Sequence, residues 1–204
     1  MNFNFNKCII YVSFPLLAML TLFLWIGNNN FVIYSVLAAT LHESGHIFAM
    51  IAKKHKPKQV NLRIFSIDII DTNRISRDYN RDIFILLSGP LTNLIFGDIA
   101  FVVYKLFDVA SCLIFAYANL FLALLNLLPI ESLDGGQILF NLLLRRFKLQ
   151  TAEKISFSFS VVTLLPLAIL GFYVLLLSKY NFSLLILSCY LIGGLLFKKK
   201  SFYY

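Results

Sequence analysis

Two histidines four residues apart, with a glutamate beside the first, carry the clearest chemistry in this sequence: His42-Glu43-Ser44-Gly45-His46 is an H-E-x-x-H motif. On a helix, positions i and i+4 lie one above the other, so His42 and His46 can offer imidazole nitrogens to one ion. Glu43 then stands beside that ion as a base for attacking water. Two imidazoles do not complete a catalytic zinc site, which usually takes three protein ligands and keeps a fourth position open. Asp98, Glu131 and Asp134 are the candidate third ligands. The motif lies within an apolar run of membrane length, where ionisable residues are costly and by default mark function or an internal partner.

The elements that must position these residues are apolar. Of 204 residues, 59% are hydrophobic and 16% aromatic, and the mean hydropathy is +0.80. A soluble domain does not present such a composition to water. Six stretches approach or exceed the roughly 20 residues a spanning helix needs: about 8–27, 31–52, 83–104, 109–128, 155–178 and 182–197. The expected fold is therefore an all-α polytopic membrane protein of about six transmembrane helices, built as a single domain over 1–204. The first stretch follows Lys7 as a signal peptide might, but it exceeds a typical signal core and no small-x-small cleavage site follows, so it reads as a retained helix.

The formal charge of +8 raises the question of nucleic acid, and the distribution of the basic residues answers it. With the amino terminus in the cytoplasm, 16 of the 18 Lys and Arg fall on the cytoplasmic side, and only Lys105 and Lys179 fall outside. This is the positive-inside bias of a multi-pass protein with both termini cytoplasmic. The charge reports topology and contact with anionic lipid, not nucleic-acid binding. Cys8, Cys112 and Cys189 are scattered through apolar runs without C-x-x-C spacing and read as small packing residues.

The one substantial polar segment is 53–82. Within it, Val60, Leu62 and Ile64 alternate with Asn61 and Arg63, and Ile67 and Ile69 flank Asp68, a period of two that predicts a small membrane-associated β-hairpin between the second and third helices. Val60, Leu62 and Ile64 are expected to form an edge strand on which an extended substrate docks through main-chain hydrogen bonds. The connection 129–154 opens with Pro129 and the turn-like Asp134-Gly135-Gly136, whose glycines let the backbone turn and approach a metal.

Three elements occur in order: H-E-x-x-H at 42–46, Gly89-Pro90-Leu91-Thr92-Asn93, and Asn126-Leu127-Leu128-Pro129-Ile130-Glu131-Ser132-Leu133-Asp134-Gly135. Together they resemble the site-2 protease family of intramembrane zinc metalloproteases over about 31–140. The resemblance implies that His42, His46 and Asp134 hold one zinc per chain and that Glu43 is the catalytic base. It implies further that Asn93, Asn126 and Pro129 shape a substrate groove. It points to cleavage of a membrane-associated or transmembrane protein segment within the bilayer, and it leaves room for an inhibitory membrane partner. The small size, and the lack of a peptide-binding insert, resemble the sporulation stage IV factor B branch, whose members cleave a membrane-associated sigma-factor precursor.

The alternative is a catalytically silent scaffold or chaperone of the same fold. Such a chain would have lost Glu43 or a ligand, and here all are present. A metal transporter would need acceptor residues along a path, whereas these cluster at one depth. Asp98 belongs to no part of the resemblance.

Overall fold

The H-E-x-x-H motif lies in the second half of a 23-residue helix, α1 (Asn30–Ala52). The computed structural model describes residues 2–5, 8–12, 30–53, 59–62, 67–70, 79–178 and 183–197. The chain divides into two compact units, Met1–Leu127 and Leu128–Tyr204.

In the first unit, α1 packs on α2 (Tyr79–Phe107) and α3 (Ala110–Asn126). Only Asp108 and Val109 separate α2 from α3, and so short a connection makes antiparallel neighbours. Asp108 takes the left-handed conformation at φ 51° and donates its N–H to the Tyr104 carbonyl at 2.8 Å, ending α2 as a C-terminal cap does. Small side chains let these helices close together: Ala38, Ala100, Ala116, Ala118 and Ala123 are all buried. A Cβ on Gly97 would already lie 3.3 Å from the Asn119 Cβ. Pro90 lies inside α2 and is fully buried, so helix neighbours rather than solvent surround the point where the ladder loses a donor.

The same unit holds a four-stranded sheet in the order β1 (Asn2–Phe5), β2 (Cys8–Val12), β3 (Gln59–Leu62), β4 (Ile67–Ile70). β3 pairs antiparallel with β4, with Val60 opposite Ile69. β2 pairs parallel with β3, with Ile10 opposite Val60, and α1 lies in the long connection that a parallel pair requires.

This sheet corrects two expectations. The first apolar stretch begins as a strand over Cys8–Val12, not as a helix from residue 8; its remainder, 13–27, lies outside the described residues. And β3 is paired on both sides, so the segment containing Val60 and Leu62 is not an edge; Ile64 lies outside the described residues.

The second unit comprises the segment 128–133, α4 (Asp134–Leu144), α5 (Leu149–Ser178) and α6 (Ser183–Phe197), with α5 packed against both α4 and α6. The 11-residue α4 falls in the connection that the sequence pattern left without a helix.

By length and composition, two of the described helices can cross a membrane: Tyr79–Phe107 and Leu149–Leu177. Leu91, Ile95, Ile99, Val102 and Leu106 lie exposed along α2 at helical spacing, an outward apolar stripe suited to hydrocarbon.

Candidate metal centre

The four-residue spacing of His42 and His46 brings the two rings together as helical geometry requires, with Nε2 facing Nε2 at 3.2 Å. Both residues are buried, at 5% and 6% exposure. Their far nitrogens are each committed. His46 Nδ1 donates to the Ile85 carbonyl of α2 at 2.8 Å, and because a carbonyl only accepts, that nitrogen carries the ring proton.

His42 Nδ1 lies 3.0 Å from Asn93 Oδ1. The Asn93 amide is oriented by its other bonds, since Nδ2 donates to the Ala38 carbonyl and to Asn119 Oδ1, each at 3.1 Å. Oδ1 is therefore the acceptor and His42 Nδ1 the donor. Asn119 is held in turn by donation from its own Nδ2 to the Phe115 carbonyl at 2.9 Å. With the Nδ1 protons so placed, the two Nε2 lone pairs point toward one another, an arrangement that suits a shared positive charge. Donation of the remote N–H to a carbonyl or amide oxygen is also how metal-binding histidines are usually oriented.

Gly89 leaves the space these rings occupy. A Cβ there would collide with His46 Nε2 and would lie 2.9 Å from His42 Cε1. Gly45 has a similar role on α1, where a Cβ would meet Thr92 Oγ1 and sit 2.8 Å from the Ser88 carbonyl oxygen. Glu43, next to His42, is half-buried.

Asn93 was expected to shape a substrate groove. It is buried at 0% exposure, with its amide bonded to His42, Ala38 and Asn119. Asn119, equally buried, carried no sequence signal beyond being a polar residue in an apolar helix. Asn126 ends α3 half-buried and donates to the Leu122 carbonyl at 3.1 Å.

In the second unit, Asp134 is the first residue of α4 and is half-buried; an acidic residue suits the positive end of a helix dipole. The preceding segment is tied to α5: the Glu131 N–H donates to Ser160 Oγ at 3.0 Å, while the Ser160 hydroxyl donates to the Ser156 carbonyl at 3.0 Å, with the Pro129 carbonyl a longer alternative at 3.4 Å. The Pro129 carbonyl thus lies beside the Ser160 hydroxyl of α5. No glycine has positive φ among the described residues. Gly136 matters for space rather than for a turn, because a Cβ there would collide with the Ile130 carbonyl and lie 2.6 Å from the Glu131 nitrogen.

Residues 108–167, spanning α3, the Asp134 segment and half of α5, match Peptidase family M50. The chain is 26% identical over 182 residues to "Stage IV sporulation protein FB" of Bacillus subtilis (strain 168), an alignment covering 83% of this chain and 61% of that relative's length. The chain therefore spans less than two thirds of the relative. In fold it is similar to the solved structure of the Site-2 Protease from Methanocaldococcus jannaschii, with a TM-score of 0.68 at 21% identity, covering 96% of this chain and 93% of that one. The family match includes Asn126, Pro129 and Asp134, whereas the H-E-x-x-H motif lies outside the matched residues.

Proposed function

We propose that this chain is an intramembrane zinc metalloprotease that hydrolyses a peptide bond in a membrane-associated protein. The observation that carries this reading is the buried pair of His42 and His46 rings, with Nε2 atoms 3.2 Å apart and each Nδ1 engaged by an oxygen acceptor. The donor chemistry suits zinc, which takes neutral imidazoles and carboxylate oxygen. We assign His42, His46 and Asp134 as the holders of one zinc per chain. Bound there, zinc supplies Lewis acidity, acidifying water and polarising a carbonyl.

The remaining steps belong to the protein. Glu43 accepts a proton from the attacking water and returns it to the departing amine. Asn93 and the Ile85 carbonyl orient both imidazoles through their Nδ1 atoms. Asn126 and Pro129 stay with the proposed substrate path. A substrate in helical form hides its carbonyls in i→i−4 bonds and must unwind before cleavage. Among the described strands only β1 and β4 present an unpaired edge, so main-chain docking belongs to one of these, and β4 lies in the segment that also contains β3. The multi-pass topology with cytoplasmic termini, and a substrate of the sigma-factor-precursor class, are parts of the same proposal.

Glu43→Gln tests it. The amide fills the same space but cannot take a proton, so zinc content should stay near one per chain while cleavage of a reconstituted membrane substrate falls about a thousandfold, within the range a general base contributes. Wild-type cleavage by that variant, or a purified wild-type chain that binds no zinc, would overturn the reading.

A further inference from the structure

Asp98 is the one Asp, Glu, Lys or Arg of the six apolar stretches that the metal centre leaves unused. It lies on α2, five residues beyond Asn93, and it is exposed. It forms part of a groove of about 210 Å³ between α2 and α3, walled by Phe101, Tyr117 and Leu120. These three are 42%, 58% and 43% exposed, so the groove opens outward from the helix pair. Among the described residues no hydrogen bond or ion pair reaches the Asp98 carboxylate.

We infer that this groove receives a transmembrane helix of another protein that presents a Lys or Arg side chain to Asp98. The inference rests on the reading that α2 spans the bilayer. A carboxylate facing hydrocarbon is costly and is normally matched by a partner. No Lys or Arg occurs within any of this chain's six apolar stretches, so no cation of its own lies at that depth along another such run. The nearest on α2, Lys105, stands seven residues away, about 10 Å along the helix. Its ammonium is 5.5 Å from the centroid of the Phe101 ring.

Other occupants fit less well. A second copy related by a two-fold axis along the membrane normal would set Asp98 against Asp98, a like-charge contact. A lipid ammonium resides at the headgroup level, where Lys105 marks the outer end of α2, about 10 Å of helix rise beyond Asp98. The apolar walls suit a leucine-rich helix, and the single carboxylate selects one cation on it.

The probe is a polyleucine helix carrying one Lys about 10 Å from its end, compared with its all-Leu and single-Asp counterparts. Binding is read by energy transfer to the full-length protein in phosphatidylcholine vesicles. The Lys helix should bind about tenfold tighter than the all-Leu helix. Asp98→Asn should abolish that preference, Asp98→Glu should keep it, and Asp98→Lys should transfer it to the Asp helix. Zinc content, measured on the same samples, should not change, which separates failure here from failure of the protease reading. Equal binding of the Lys and all-Leu helices to wild type would overturn the inference. So would a preference that survives Asp98→Asn, or an Asp98-dependent response only to lipids with amine headgroups.

Discussion

Asn93 and Asp98 are polar residues five positions apart on one apolar helix, and the protein uses them in opposite ways. At 3.6 residues per turn, five residues rotate a side chain about 140° around the axis. Asn93 thereby faces α1 and α3 and is fully buried, with every bond of its amide directed at the histidine pair or its supports. Asp98 emerges on the outward side, in a groove lined by rings and leucine. The difference teaches that in an apolar helix a polar residue's role follows from its angular position, which decides whether its partners come from the same chain or from elsewhere.

The inward side should be the more sensitive to change. Gly89→Ala places a methyl group where His46 Nε2 stands, and displacement of that ring by on the order of 1 Å exceeds the roughly 0.2 Å tolerance of a metal ligand. Zinc content of the purified variant should fall close to zero while the protein still inserts in membranes. Retention of full zinc would mean that the rings can move aside, and the inward side would lose its claim to rigidity.

Asn93→Leu removes the acceptor that fixes the His42 tautomer. Outer-shell partners of this kind are worth about 10–100-fold in metal affinity, and competition with a chelator should show a loss in that range. Asn119→Leu acts one bond further out, through Asn93, and should cost less, about fivefold, as expected for one neutral hydrogen bond of about 1 kcal/mol. If Asn119→Leu cost as much as Asn93→Leu, the two amides would be acting as one cooperative unit.

On the outward side, Asp98→Asn should leave zinc affinity unchanged within about twofold, since 140° of helix separates it from the rings. A larger loss would erase the contrast between the two positions.

Much of the centre was legible in the sequence. H-E-x-x-H needs only local helical geometry, so the pairing of His42 with His46 followed from spacing. The apolar stretches anticipated most helices to within a few residues. The roles of Asn93 and Asn119 were not legible in the same way. His42 and Asn93 are 51 residues apart in sequence, and Asn93 and Asn119 are 26 apart. No local pattern states that two such amides meet. The glycine at 136 was noticed for a turn, yet it serves a close backbone approach that only the path of residues 130–131 reveals.

The sheet shows the same division. Alternation over 59–70 was visible because a period of two is local. Cys8–Val12 is a short apolar run, which periodicity cannot separate from the start of a helix, and its strand character depends on parallel pairing with residues about 50 positions later. That pairing also turned β3 from an expected edge into an interior strand. By itself the sequence determined the pairing of His42 with His46, the glutamate beside it and the apolar character of the helices, because each rests on residue type and local spacing. The tertiary structure decided which ring nitrogens stay bare, which amides hold them and which strand edges remain open, because those depend on contacts between segments far apart in the chain.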